Sequence, residues 1–306
     1  MRSYLLRRLA GSVMVLWGVA TLVFLMVHLI PGDPVVMMLD IHASSERVVQ
    51  LRDQLGLNDP LLAQYARYMR DLVQLDLGRS LRSNRLVTDE LASRAWPTFQ
   101  LALSGMALAV VLGVIAGAIA AAKRNTWVET VVMSTATVGV TIPSFLLAML
   151  LVMVFSLNLR WLPSMGAGTW RNLVLPSLSL GFLYSALIAR VTRTAMLESL
   201  AMDYITVARA KGLTQGSILF RHALRNALIP VITIIGIYFG LLLGGTLVIE
   251  TVFSWPGLGT LAVNSILARD FPVTQGIVLF LALSFSVLNL LVDLTYGLID
   301  PRIRFQ

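Results

Sequence analysis

Residues 203–226 read DYITVARAKGLTQGSILFRHALRN, a stretch that sets Arg209, Lys211, Arg221, His222 and Arg225 between two strongly apolar runs. The apolar positions Leu197, Leu200, Ala201, Tyr204, Ile205 and Ala208 fall at i, i+3, i+4, i+7, i+8 and i+11, the spacing of one helical face. Gly212 fits a helix stop, Leu213 the apolar residue that follows one, and Thr214 or Ser217 a new cap. The pattern predicts two short helices separated by a glycine turn, one face for protein and one for water or a partner. The flanking runs decide what that partner is.

Those runs are longer than a soluble core helix needs, in a chain of 306 residues that is 57% hydrophobic and only 13% charged. An integral membrane protein follows. A β-barrel would show short alternating segments in place of long unbroken runs, so the spans are helical. The net charge of +8 has no aromatic interleaving of the kind that marks nucleic-acid binding, and positive charge near cytoplasmic membrane faces accounts for it. With no Cys, disulfides, thiolate nucleophiles and Cys metal sites are excluded.

Six spans are predicted: Leu9 to Ile30, Phe99 to Ala122, Met133 to Leu157, Leu173 to Ile188, Leu228 to Ile249 and Gly276 to Ile299, the fourth being short. Each is near the ~20 residues that cross a ~30 Å hydrocarbon core. The first run is too long for a signal-peptide core and is read as a retained helix. Arg2, Arg7 and Arg8, then Lys123 and Arg124, then the basic cluster from Arg190 to Arg225, and finally Arg302 and Arg304 fall on one side of an even number of spans. By the positive-inside rule that side is the cytoplasm, with both termini on it. The chain is thus read as one transmembrane domain, 1–306, with an extracytoplasmic segment 31–97 and a cytoplasmic segment 197–227. In the outer segment Ser45 and Glu46 open a helical stretch ending at Gly56, and Pro60 to Leu75 reads as an amphipathic helix.

Catalytic and cofactor motifs are missing. There is no G-x-x-x-x-G-K-[ST], no H-E-x-x-H and no G-x-S-x-G, and His28, His42 and His222 are scattered by the topology. No metal site or cofactor is expected in the chain, and it is not expected to be an enzyme. Asp293 is the one ionisable group well inside a span, and pairing with Arg190 or Arg193 would anchor it. Thr141, Pro143 and Ser144 surround a proline break in the third span, which lines a pathway or is a packing kink. Gly244-Gly245 permits close helix approach in the fifth span. Trp255-Pro256-Gly257 reads as a turn with an aromatic anchor at the membrane interface.

The runs Ala208-Arg209-Ala210-Lys211-Gly212 and His222-Ala223-Leu224-Arg225-Asn226 resemble the permease subunits of bacterial ABC importers for dipeptides, oligopeptides, nickel and glutathione. In that superfamily an E-A-A-x3-G-x9-I-x-L-P loop forms coupling helices that dock on the ATPase subunit. Aligned on Gly212, only Ala208, Gly212 and Leu224 match that pattern; Thr206 stands where its Glu would be and Arg225 where its Pro would be, as in the peptide and nickel branch. Further matches are Leu6-Arg7-Arg8, Pro31-Gly32-Asp33-Pro34, Leu55-Gly56-Leu57, Asp76-Leu77-Gly78-Arg79-Ser80, ETVFSWPGLG from Glu250, Arg269-Asp270-Phe271-Pro272 and DPRIR from Asp300.

The resemblance implies an all-α fold of six transmembrane helices in a bacterial inner membrane. It implies ATPase coupling through Tyr204, Thr206, Ala208, Arg209, Lys211, Gly212, Leu213, His222 and Arg225. The implied partners are a second homologous permease, two ATPase subunits that hold the ATP and Mg, an extracytoplasmic peptide-binding protein and membrane lipid. No Cys and no pore carboxylate other than Asp293 favour short peptides, glutathione included, over nickel as the cargo. A nickel importer and a self-sufficient secondary carrier are the alternatives.

Overall fold

The structure, a computed structural model, describes residues 2–29, 52 and 56–299. Among them helices dominate, with one isolated bridge between Arg79 and Leu86. The helices are α1 (Arg2–Leu29), α2 (Leu61–Val73), α3 (Val87–Ala122), α4 (Trp127–Thr141), α5 (Ser144–Asn158, its last seven residues a π-helix), α6 (Trp170–Leu200), α7 (Asp203–Ala210), α8 (Gln215–Val252, with a π-turn at Ile218–Ala223), α9 (Leu258–Leu267) and α10 (Phe271–Ile299). Five are long and apolar enough to cross a membrane, in α1, α3, α6, α8 and α10. The pair α4 and α5 meets the same test together, bent by 103°. The stretch opened by Ser45 and Glu46, Pro31 to Pro34, His42 and the run from Asp300 lie outside the described residues.

The third predicted span is a helix broken at the proline that the sequence marked. Proline pushes its predecessor out of the helical region, and Ile142 is extended at ψ 122°. Pro143 then starts α5, its carbonyl accepting the N–H groups of Leu146 and Leu147.

The predicted ends of two further spans are also corrected. Helix α6 runs 31 residues, well past Ile188, because Arg190 and Arg193 end the apolar run without ending the buried face of Ala189, Thr192, Met196 and Ser199. Pro97 lies inside α3, which starts ten residues earlier at Val87, so the helix that carries the second span begins within the predicted segment 31–97.

The described chain divides into two compact units, 1–96 with 258–286 and 97–257 with 287–306. In the first, the amphipathic helix predicted after Pro60 is α2. It packs on α1 through a Thr21–Tyr65 hydroxyl pair at 2.7 Å, a His28 Nε2–Gln64 Oε1 contact at 3.1 Å and Phe24 between Tyr65 and Tyr68. Two motifs noted in the sequence meet in this unit. Ser80 donates to Asp270 at 2.5 Å and the Leu81 N–H donates to the other carboxylate oxygen at 3.2 Å, with Asp270 itself buried.

The second unit is built around α3, α6 and α8, with Leu101, Leu175, Ile188, Leu242 and Ile249 fully buried. Close approach comes from glycines on α3 and α6. A Cβ on Gly117 would sit 2.5 Å from the Ala189 carbonyl, and one on Gly113 2.7 Å from that of Ser185. The pair is a G-x-x-x-G motif in the sequence, and small residues let helix backbones meet in lipid. By contrast, among the described residues Gly244 has nothing within 4 Å and Gly245 only the Tyr184 hydroxyl at 3.8 Å, so none of them makes a close crossing there. Trp255 is also a correction: it is 2% exposed, and its indole N–H donates to the Pro97 carbonyl at 2.9 Å, making it a core plug and not an interface anchor.

Candidate coupling site

The segment that opened the sequence analysis begins where α6 stops at Leu200. The predicted single face from Leu197 to Ala208 is divided between two helices, because Ala201 and Met202 turn the chain before α7 starts at Asp203. Helix α7 has eight residues and buries only Ile205 and Ala208, at 0% and 6% exposure. They enter a cluster formed by Ala118 and Ala121 of α3, Ala195 and Met196 of α6, and Ile218, Ala223 and Ala227 of α8. A helix this short is not stable alone, so packing against three spans holds it.

Gly212 ends α7 as expected, with φ +74°. The Leu213 N–H reaches the Ala208 carbonyl at 3.3 Å and the Gly212 N–H the Arg209 carbonyl at 2.9 Å, the paired bonds of a Schellman stop. Thr214 then caps the next helix, its hydroxyl accepting the Ser217 N–H at 3.4 Å. The second short helix of the sequence reading is not separate. It passes through the π-turn straight into the long α8.

The outward face combines charge and apolar area. Thr206, Arg209, Lys211, Arg221 and Arg225 are exposed, and among them Val207 is 53%, Leu213 39% and Phe220 68% exposed. His222 is half-buried. Of the residues assigned to this site, Ala208 points into the protein and acts as an anchor. Tyr204 turns its hydroxyl back onto the chain: it bonds Ser199, accepts from Asn226 Nδ2 at 2.9 Å, and Ser199 donates on to the Ala223 carbonyl at 3.1 Å. Ser199 and Phe220 were not singled out in the sequence, and Val207 and Asn226 stood there only as motif positions. Only the i, i+3 continuation of the buried α6 face could have pointed to Ser199.

Near this site Arg193 is bonded to Glu129, in the first turn of α4, through Nε at 2.6 Å and also through Nη2. Glu129 accepts the Asn125 N–H as well, at 2.6 Å. Arg193 is thus engaged by Glu129; the side chain of Asp293, for which Arg190 or Arg193 was the expected partner, lies outside the described residues. Thr141 and Pro143 are exposed and Ser144 half-buried at the 103° break, about a helix length from the α7 cluster along α4. Thr141 donates back to the Thr137 carbonyl at 3.0 Å. Among the described residues no group of three or more His, Cys, Asp or Glu is placed to hold a metal ion.

Residues 109–305 match the family of binding-protein-dependent transport system inner membrane components, and residues 1–102 match the N-terminal family of the same system's membrane components. The glutathione transport system permease protein GsiC of Escherichia coli O6:H1 is 45% identical over 306 residues, covering 100% of both chains. GsiC of Shigella dysenteriae serotype 1 is likewise 45% identical over the full length of both. The fold is shared with the inward-facing MetNI methionine ABC transporter at a TM-score of 0.61 and 19% identity, covering 69% of this chain and 96% of that one. An amino acid ABC transporter matches at 0.55 and 16% identity, covering 68% and 94%. With several apolar helices long enough to cross a bilayer and a family match that spans almost all of its sequence, the chain belongs to the inner-membrane permease components of binding-protein-dependent ABC importers.

Proposed function

We propose that this permease forms half of the translocation pathway of an ATP-driven importer of short peptides, glutathione included, and that residues 203–226 dock into its ATPase subunits. The observation that carries the docking is the outward face around Gly212. Exposed Val207, Leu213 and Phe220 among Arg209, Lys211 and Arg221 form a mixed apolar and basic surface, anchored from behind by Ile205 and Ala208. A merely solvated loop needs neither the exposed Phe nor the anchoring cluster. A second permease completes the pathway, an extracytoplasmic binding protein delivers the cargo, and ATP and Mg are held by the ATPase subunits. The full-length identity to a glutathione permease supports the cargo.

The Glu129–Arg193 pair supports the topology. It places the start of α4, just after Lys123 and Arg124, beside the last turns of α6. Helix α6 is long enough to span the bilayer, so its start lies on the opposite side from its end. The chain from α4 to α6 therefore crosses once, and α4 with α5 is a broken crossing. On this reading of six crossings, both termini share a side with Lys123, Arg124, Arg209 and Lys211, and the positive-inside rule supports the cytoplasm for it.

The test is the assembled transporter in vesicles with its binding protein and ATP, offered labelled glutathione, dipeptides, longer peptides and nickel separately. Glutathione or short peptides accumulate only with ATP. Uptake of nickel alone, or uptake that ignores ATP, contradicts the reading.

A further inference from the structure

Resting on the reading that residues 203–226 meet the ATPases, we propose that the Tyr204 hydroxyl is the tie that makes the coupling helix turn together with the fourth and fifth spans. Apolar packing alone leaves α7 free to roll. Its two buried side chains, Ile205 and Ala208, are three apart on one stripe, and the contacts they make are non-directional. Direction comes from one hydrogen-bonded chain. Asn226 Nδ2 donates to the Tyr204 oxygen at 2.9 Å, the Tyr204 hydroxyl donates to Ser199 Oγ, and Ser199 donates to the Ala223 carbonyl at 3.1 Å.

Every donor and acceptor in that order is used once, so the chain has a consistent proton arrangement. It joins the last turn of α6, the first turn of α7 and the part of α8 where the π-turn Ile218–Ala223 ends, a type of helix irregularity that recurs at functional sites. Ser199 is buried at 6% exposure, which makes the link costly to leave unmade. A push on the outward face of α7 is then delivered to α6 and α8 together. Tyr204 is thus a positioning residue, not an ATPase contact.

The test uses the complete transporter with Tyr204→Phe, which keeps the ring and removes only the hydroxyl, and with Asn226→Ala alone and combined. Two readouts are taken: cargo imported per ATP hydrolysed, and the distance distribution between spin labels on Ala210→Cys in α7 and Ile237→Cys in α8, with and without ATP. The chain has no Cys of its own, so it adds no background. In the parent the α7–α8 distance stays narrow on adding ATP. In Tyr204→Phe it broadens, and cargo per ATP falls about fivefold, the scale of one net hydrogen bond of about 1 kcal/mol. The double variant is no worse than the more affected single, because both remove the same link. Retention of the ATPase subunits on purification is unchanged.

An α7–α8 distance that responds to ATP identically in parent and Tyr204→Phe overturns the tie, as does an unchanged ratio of cargo to ATP. Additive losses overturn it too. ATPase subunits that fail to co-purify with the parent strike the docking reading itself, a result visible before any variant is made.

Discussion

Two of the helix breaks among the described residues, at Ile142–Pro143 and at Gly212, are built differently. At Gly212 a left-handed glycine closes a Schellman stop, and the short helix before it is pinned by packing and by the Tyr204 hydrogen bonds. At Pro143 the break is made by backbone sterics, Thr141 bonds only its own helix, and Thr141 and Pro143 remain exposed. The first break is tied on several sides, as suits an element that transmits force. The second is open on its polar side. In this contrast the surroundings of a break, more than the break itself, decide what it does.

Substitutions can break or sharpen that contrast, and the largest effect falls on the frame that carries the tied break. Gly117→Val would drive a branched side chain into the Ala189 carbonyl, 2.5 Å from where its Cβ must be, and cost on the order of 3 kcal/mol. The permease should be lost from the membrane fraction. Next comes Arg193→Ala, which leaves Glu129 without its guanidinium in a partly buried site. The detergent-solubilised complex should inactivate at lower temperature, and Glu129→Gln in the same chain should recover part of the loss.

Gly212→Val is milder than the crowding at Gly117, because nothing lies within 4 Å of the new Cβ and only the φ of +74° is strained, at about 1–2 kcal/mol. The protein should still insert, while transport and cargo-stimulated ATP hydrolysis fall together. Wild-type rates would show that the Schellman stop is not needed for coupling. Pro143→Ala should change stability least, by about 0.5 kcal/mol. It should alter the uptake rate without altering ATPase retention, and if it releases the ATPases the contrast between the two breaks fails.

The spacing of Leu197 to Ala208 and the position of Gly212 were enough to find the short helix and its glycine stop, because capping and periodicity are local properties of the chain. The helix before it was harder to bound. Hydropathy reports where lipid ends, whereas α6 continues to Leu200 on buried protein contacts that Arg190 and Arg193 do not interrupt. Trp255 was misplaced for a related reason: an indole with one polar handle suits an interface or a buried carbonyl equally, and only the fold brings Pro97 to it. The close crossing was visible as Gly113 and Gly117 but was sought at Gly244-Gly245, since spacing does not say which small pair finds a partner. The hydrogen bonds among Ser199, Tyr204, Ala223 and Asn226 join residues up to 24 apart, and no local pattern announces them.

The most direct measurement of the central claim exploits the absence of native cysteine. A single cysteine is placed at Thr206, on the outward face of the tied break, or at Thr141, on the open one, and the assembled transporter is treated with a short bifunctional thiol–amine cross-linker. Thr206→Cys should join the permease to an ATPase subunit and lose transport in proportion, while Thr141→Cys should give no ATPase product. Cross-linking to the ATPase from Thr141 and none from Thr206 would contradict the account.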